Sequence, residues 1–191
     1  MPISVSLQPI MKKEYSPEHI SNFMHYCPHC GSSSFMAHSG KEMRCSACGF
    51  SLFQNASAAV ACIIVDESGR ILLARRAFDP WKGMLDLPGG FVDPSETIEN
   101  AVRRELSEEL ATKVVDMRYI CSFPNEYIFS GFLVYTVDLG FVCKVPDVSL
   151  LSAADDVAEL LWFAPADVPF EQVAAPSIRN ILHFYLSTLT E

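Results

Sequence analysis

Two groups of residues in this chain have types and spacings that could do chemistry. The first is a double pair of cysteines, Cys27-Pro28-His29-Cys30 and Cys45-Ser46-Ala47-Cys48. Each Cys-x-x-Cys closes a tight turn that points two thiolates at one ion. The glycine after each pair, Gly31 and Gly49, frees the backbone for that turn. Fourteen residues separate the pairs, enough for a short hairpin that brings them together. Four thiolates around one ion make a closed tetrahedral site, the donor set of structural Zn²⁺. A redox role for either pair needs a thioredoxin-like βαβ setting, and none surrounds them. With four cysteines filling the site, His29 is expected to be exposed.

The second group is acidic. Glu105, Glu108 and Glu109 stand three and four residues apart, which places them on one side of a helix. Asp93-Pro94-Ser95-Glu96 suits a helix start with Ser95 as N-cap. Residues 95–111 then read as helical, with Ile98, Ala101, Val102, Leu106 and Leu110 on an apolar stripe. Like charges stacked in this way destabilise a bare helix. A cluster of hard oxygen ligands is relieved of that repulsion by binding Mg²⁺ or Mn²⁺. Taken alone, the carboxylates also fit a solvated charged face.

The wider stretch resembles the Nudix box, G-x5-E-x7-R-E-U-x-E-E-x-G-U, where U is a bulky aliphatic. Gly90, Glu96, Arg104, Glu105, Leu106, Glu108 and Glu109 match at the right spacing. Ala111 and Thr112 stand where the pattern has glycine and an aliphatic. A glycine there normally closes the helix. An alanine in a left-handed cap costs roughly 1 kcal/mol, unless the helix ends differently.

The resemblance implies an α/β fold, the Nudix α/β/α sandwich with a mixed sheet, preceded here by a small zinc ribbon. It implies metal-dependent hydrolysis of a pyrophosphate bond in a nucleoside diphosphate linked to another group, such as ADP-ribose, NADH or a related dinucleotide. By carry-over, Glu105 and Glu109 are principal Mg²⁺ or Mn²⁺ ligands, and Glu108 is a further ligand or the base. Arg104 orients a glutamate, and Glu96 is structural or a distant metal contact. Glu159 resembles a downstream glutamate that some members add to the metal cluster. A zinc ribbon directly before a Nudix domain is similar to the NADH pyrophosphatase arrangement, with the larger N-terminal domain of those enzymes missing or cut down. Their motif Ser-Gln-Pro-Trp-Pro-Phe-Pro is only partly kept in Ser122-Phe123-Pro124-Asn125-Glu126-Tyr127. Gly89, Gly90, Phe123, Tyr127 and Trp81 are the expected substrate-binding residues, although core packing also suits the three aromatics.

These groups need a scaffold. The chain has 191 residues, half of them apolar and 19% charged, a globular composition for one domain plus a small module. Residues 1–25 read as a weakly structured lead, where Ser16-Pro17-Glu18 could open a short helix. Residues 26–50 form the ribbon, too poor in large apolar side chains to fold without a metal. Residues 56–191 form the catalytic domain. Ala58–Val65 is a buried strand, Asp66–Gly69 a turn and Arg70–Ala74 a returning strand, together a hairpin. The stretches 114–123, 128–142 and 157–163 are further strands, and 177–189 is an amphipathic closing helix.

The seven cysteines are an odd count, which argues against a disulfide framework. Cys62, Cys121 and Cys143 lie in apolar runs and read as small core residues. No apolar stretch is long enough for a secretory core or a membrane span, so a cytoplasmic chain without membrane contact is expected. A net charge of −9 makes nucleic-acid binding unlikely. The expected partner is a small nucleotide-derived substrate, whose phosphates would meet positive charge from bound metal. A non-catalytic nucleotide- or RNA-binding module and a homodimer extended by the ribbon are the alternatives.

Overall fold

The structure, a computed structural model, describes residues 15–189. The earlier part of the expected lead lies outside the described residues. The chain divides into two compact units. One holds the described residues up to Gln54 together with Ser130–Leu133, and the other holds Asn55–Phe129 and the residues from Val134 onward.

The first unit opens on a three-residue 3-10 helix, Ile20–Asn22, capped by His19. The expected helix start at Ser16-Pro17 is corrected. Those residues form the preceding turn, with the His19 N–H donating to the Ser16 carbonyl at 3.0 Å. Strands β1 (Phe35–Ala37), β2 (Glu42–Cys45) and β3 (Ser51–Phe53) make an antiparallel sheet. Its core is Phe35 and Met43, with Cys27 and Cys45 beside them. Two large buried side chains are a small core for a unit of this length, which is the setting in which a bound metal adds stability.

In the second unit, strand β4 (Ser57–Ile64) runs parallel to β8 (Phe132–Lys144), which neighbours β7 (Asp116–Phe129). A separate sheet has the order β6 (Leu85–Asp86), β5 (Ile71–Arg76), β9 (Val157–Phe163), with antiparallel pairing throughout. Helix α1 spans Ile98–Leu110 and α2 spans Pro176–Ser187. Alternate residues of β4 and β5 serve two cores. Val60, Cys62, Ile64 and Leu72 pack with Ala101, Val102, Leu106 and Leu110 of α1. Ala61, Ile63, Ile71 and Leu73 pack with Ile178, Ile181, Leu182 and Tyr185 of α2. Strands covered on both faces read as continuous apolar runs, which is the pattern at 58–65. The result is an α/β/α arrangement. Cys62, Cys121 and Cys143 are buried within it.

Two expectations for this unit are corrected. Strands β4 and β5 do not form a ladder. Asp66 accepts from the Ser68 and Arg70 N–H groups and turns the chain, but beyond an isolated Val65–Ile71 bridge the strands enter different sheets. The break expected between residues 123 and 128 is absent, and β7 runs through Pro124-Asn125-Glu126. Strand β7 lies at a sheet edge, where a proline forfeits no ladder bond. The reversal comes instead at Ser130-Gly131, with φ of 50° and 87°, the paired left-handed geometry of a tight hairpin turn. Among the described residues, no helix is long and apolar enough to cross a membrane.

Candidate active site and structural metal centre

The four cysteines of the first unit converge. All four sulfur atoms lie within 4.8 Å of one another, and Cys27–Cys48 and Cys30–Cys45 are each separated by 3.7 Å. A tetrahedron with metal–sulfur bonds of about 2.3 Å has edges of about 3.8 Å, which these two separations match, so the thiols fit a Zn²⁺ site. The two turns are built alike. The Gly31 N–H donates to the Cys27 carbonyl at 2.8 Å and the Gly49 N–H to the Cys45 carbonyl at 2.9 Å. Both glycines have φ above 70°, a conformation that a side chain would strain. His29 is exposed and stacks against Phe50.

In the second unit the acidic residues of α1 meet the Leu87–Gly90 loop. The helix starts two residues later than expected. Thr97 is its N-cap, its hydroxyl accepting from the Asn100 N–H, while Ser95 sits at a φ of 68° outside it. Glu96 explains the shift, because its carboxylate folds back to accept from the Asp93 N–H and from Arg104. The helix ends at Ala111, which takes the left-handed cap, φ 51° and ψ 34°, and donates to the Leu106 carbonyl. The cap geometry is therefore kept without the glycine, at the cost of strain on a Cβ.

Arg104 is the hub. Its guanidinium grips both oxygens of Glu96 at 3.1 and 2.9 Å, Glu105 at 2.7 Å, Glu108 at 3.1 Å and the Phe91 carbonyl at 2.8 Å. The Glu96 pairing leads the interactions that raise the arginine's pKa, and the same bond holds the Glu96 carboxyl below its ordinary range.

The three glutamates have unequal surroundings, because adjacent residues diverge by about 100° around a helix. Glu108 is exposed, and Glu105 is half-buried. Burial pushes Glu105 up, against the pull of Arg104. Glu109 is 5% exposed. Burial, then the neighbouring Asp156, pushes its carboxyl up to about 10. Among the described residues no basic side chain reaches Glu109, and its Oε2 accepts only a backbone bond, from Gly89 N–H at 2.8 Å. Buried Glu109 beside Asp156 is a carboxylate pair that calls for a cation. Its all-oxygen donor set fits Mg²⁺ or Mn²⁺.

The two glycines of the loop lie against this group. A Cβ on Gly90 would fall 2.6 Å from Glu105 Oε1, and one on Gly89 would fall 2.1 Å from the Val60 carbonyl. Both also line a cleft of about 280 Å³, together with Trp81 and Tyr127, whose rings stand 5.4 Å apart. Phe123 packs against the α2-side core. Glu159 lies on β9, half exposed, with its carboxylate held by Arg75 at 2.9 Å.

Sequence reasoning passed over Asp156, which stands beside Glu109 at the mouth of β9. Its signal was an Asp155-Asp156 pair ending a polar stretch just before an apolar strand. It also passed over Asp86 and Asp138, which line the cleft with Asn125. Asp138 was visible as the lone charge in the apolar run 132–143.

A family model described as NUDIX domain matches residues 56–184. The chain is 29% identical over 162 residues to the NAD-capped RNA hydrolase NudC of Vibrio vulnificus, covering 84% of this chain and 58% of that protein. It is 30% identical over 176 residues to the protein of the same name from Vibrio atlanticus, covering 90% and 64%. The chain thus spans about three fifths of the length of these relatives. Among solved structures, a NUDIX hydrolase from Nitrosomonas europaea superposes with a TM-score of 0.65 at 23% identity, covering 86% of this chain and 91% of that one. A MutT NUDIX hydrolase from Burkholderia pseudomallei gives 0.58 at 28% identity, covering 68% and 97%.

Proposed function

The chain belongs to the Nudix family, and on that premise we propose that it hydrolyses the pyrophosphate bond of a nucleoside diphosphate linked to another group, with ADP-ribose, NADH and related dinucleotides as the substrate class. The products are a nucleoside monophosphate and a phosphorylated remainder. The observation that carries this reading is the acidic group of Glu105, Glu109 and Asp156, in which buried Glu109 has no basic partner among the described residues, beside a cleft with aromatic walls.

Bound Mg²⁺ or Mn²⁺ would neutralise charge on the phosphates and acidify a coordinated water. Glu105 and Glu109 are its principal holders, and Asp156 is a third. The Gly89 N–H fixes Glu109 in place. Arg104 anchors itself through Glu96 and so presents Glu105 in one orientation. Glu108 is exposed and held only at its edge by Arg104. In this reading it is a further ligand or the base that takes the proton of the attacking water. Zn²⁺ held by Cys27, Cys30, Cys45 and Cys48 stabilises the first unit and does no chemistry.

The test is an assay with Mg²⁺ against ADP-ribose, NADH, NAD⁺, diadenosine polyphosphates and nucleoside triphosphates, with Glu109→Gln as control. Turnover of one class, abolished in the variant, is the expected result. No turnover by folded, zinc-loaded protein would overturn the reading. The names of the Vibrio relatives favour a second one, in which the dinucleotide is the cap of an RNA. The net charge of −9 and the pairing of Arg44 with Glu42 oppose extended contact with an RNA body. Equal cleavage of free and RNA-linked dinucleotide is therefore expected.

A further inference from the structure

The cleft beside the carboxylate group has a composition of its own. Its volume of about 280 Å³ lies at or below the bottom of the usual range for small-molecule sites, about 300–1,000 Å³, so it holds part of a dinucleotide. Trp81 and Tyr127 supply two tilted rings. Asn125 presents a buried amide oxygen with no hydrogen-bond partner among the described residues. Asp138 is 6% exposed, and its two oxygens accept from the hydroxyls of Thr136 and Ser177. Among the described residues, no basic side chain comes within ion-pair distance of it. Arg76, the one cation lining the cleft among the described residues, is already committed, to Asp86 at 2.9 Å and to the Pro80 carbonyl at 2.8 Å. The interior is therefore aromatic, rich in acceptors and net negative.

That combination has a defined complement. Aromatic faces attract a cation through their quadrupole, a buried carboxylate needs opposite charge nearby, and a buried free amide oxygen needs an N–H. A planar cationic ring bearing an amide meets all three. We propose that the cleft holds the base of the substrate and selects a positively charged ring over a neutral one of the same shape: an oxidised nicotinamide, a pyridinium with a carboxamide, in preference to its uncharged dihydro form. Asn125 and Asp138 are the specificity-determining residues. The inference rests on the hydrolase reading above and adds to it which half of the dinucleotide enters the cleft and in which redox state.

The experiment compares kcat/KM for NAD⁺ and NADH with the full chain and Mg²⁺. The two differ only by one hydride on the nicotinamide ring, which removes its charge and its aromaticity. A preference for NAD⁺ of about tenfold is expected from one desolvated cation–aromatic contact. Asp138→Asn should reduce that ratio to about twofold or less. Asn125→Asp, which adds charge at nearly constant shape, should raise it, and it serves if the first variant does not fold. A ratio at or below one in the parent protein, or a ratio unmoved in a folded variant, overturns the proposal and leaves the hydrolase reading standing. An adenine in the cleft would give that same flat ratio. Should no pyrophosphate be cleaved, the hydrolase reading is the one that fails. Calorimetric binding of oxidised and reduced nicotinamide mononucleotide then tests the cleft directly: tighter binding of the oxidised form supports it, and equal binding overturns it.

Discussion

The two proposed metal sites of this molecule are built on opposite plans. In the first unit all four ligands come from 22 consecutive residues, and two glycine-ended turns make them converge. Its hydrophobic core is two large side chains. In the second unit the proposed ligands come from one helix and from a loop nearly 50 residues further on, positioned by a backbone N–H from a third segment. Two cores hold them in place before any ion arrives. On this reading the metal makes the fold in the first unit, and the fold makes the metal site in the second. The contrast teaches that a donor set alone does not reveal what an ion is for. The apolar area behind the donors does.

Breaking the contrast at its strongest point means removing zinc. Chelation, or Cys45→Ser, should erase hydrogen-exchange protection across β1 and β2, since structural zinc supplies about 10 kcal/mol or more. Protection of α1 should persist. Loss at both places would mean that the two units fold as one. The next effect is catalytic. Glu109→Gln should lower kcat by about 10²–10⁴-fold, the range for removing a group from the reacting centre. Without Mg²⁺ it should melt higher than the parent at neutral pH, because the amide spares the folded state the cost of keeping Glu109 protonated there. A variant that is both inactive and less stable would contradict the account of Glu109 as a strained ligand.

A smaller effect sharpens the same point through pH. The Glu109 carboxyl is raised from 4.5 to about 10 in the folded protein. The folded state therefore keeps a proton that the unfolded chain has released. Metal-free stability should fall as pH rises from about 4.5 towards 10, with the full contribution present only at the acid end. Added Mg²⁺ should raise the melting temperature more at pH 9 than at pH 6. A gain independent of pH would remove Glu109 from the site. The smallest effect concerns Ala111. Glycine in that left-handed cap should stabilise the chain by about 1 kcal/mol, or roughly 2–4 °C for a chain of this size, as read by thermal melting.

The legibility of the chain followed the same division. The thiol site could be read whole, because ligands that are close in sequence are forced to be close in space. The carboxylates on α1 could be read because helical spacing is local too. Asp156 could not, since nothing in residues 152–156 announces which turn of α1 they will face. The helix start was misplaced at Ser95 because a capping signal was visible and the tie between Glu96 and Arg104 was not. The run at 58–65 showed correctly that a strand would be buried on both faces. It did not show that its neighbour at 71–76 would join another sheet, since pairing partners are chosen by residues far along the chain. Proline at 124 was misleading because the edge position that tolerates it is a property of the whole sheet.

Strand β4 carries a consequence for how this protein can change over evolutionary time. Its odd and even positions face different helices, so the two sets of residues answer to independent packing demands. Substitutions there are filtered twice, but one at a time. A single inserted residue is another matter, because it would exchange the two sets at a stroke. Ala61 and Ile63 would turn towards the helix that carries the glutamates, and Val60, Cys62 and Ile64 towards the helix that closes the chain. Changes of length should accumulate in the turn at 66–69, where they cost little, while the span from Ser57 to Ile64 should keep its count of residues even as its composition drifts.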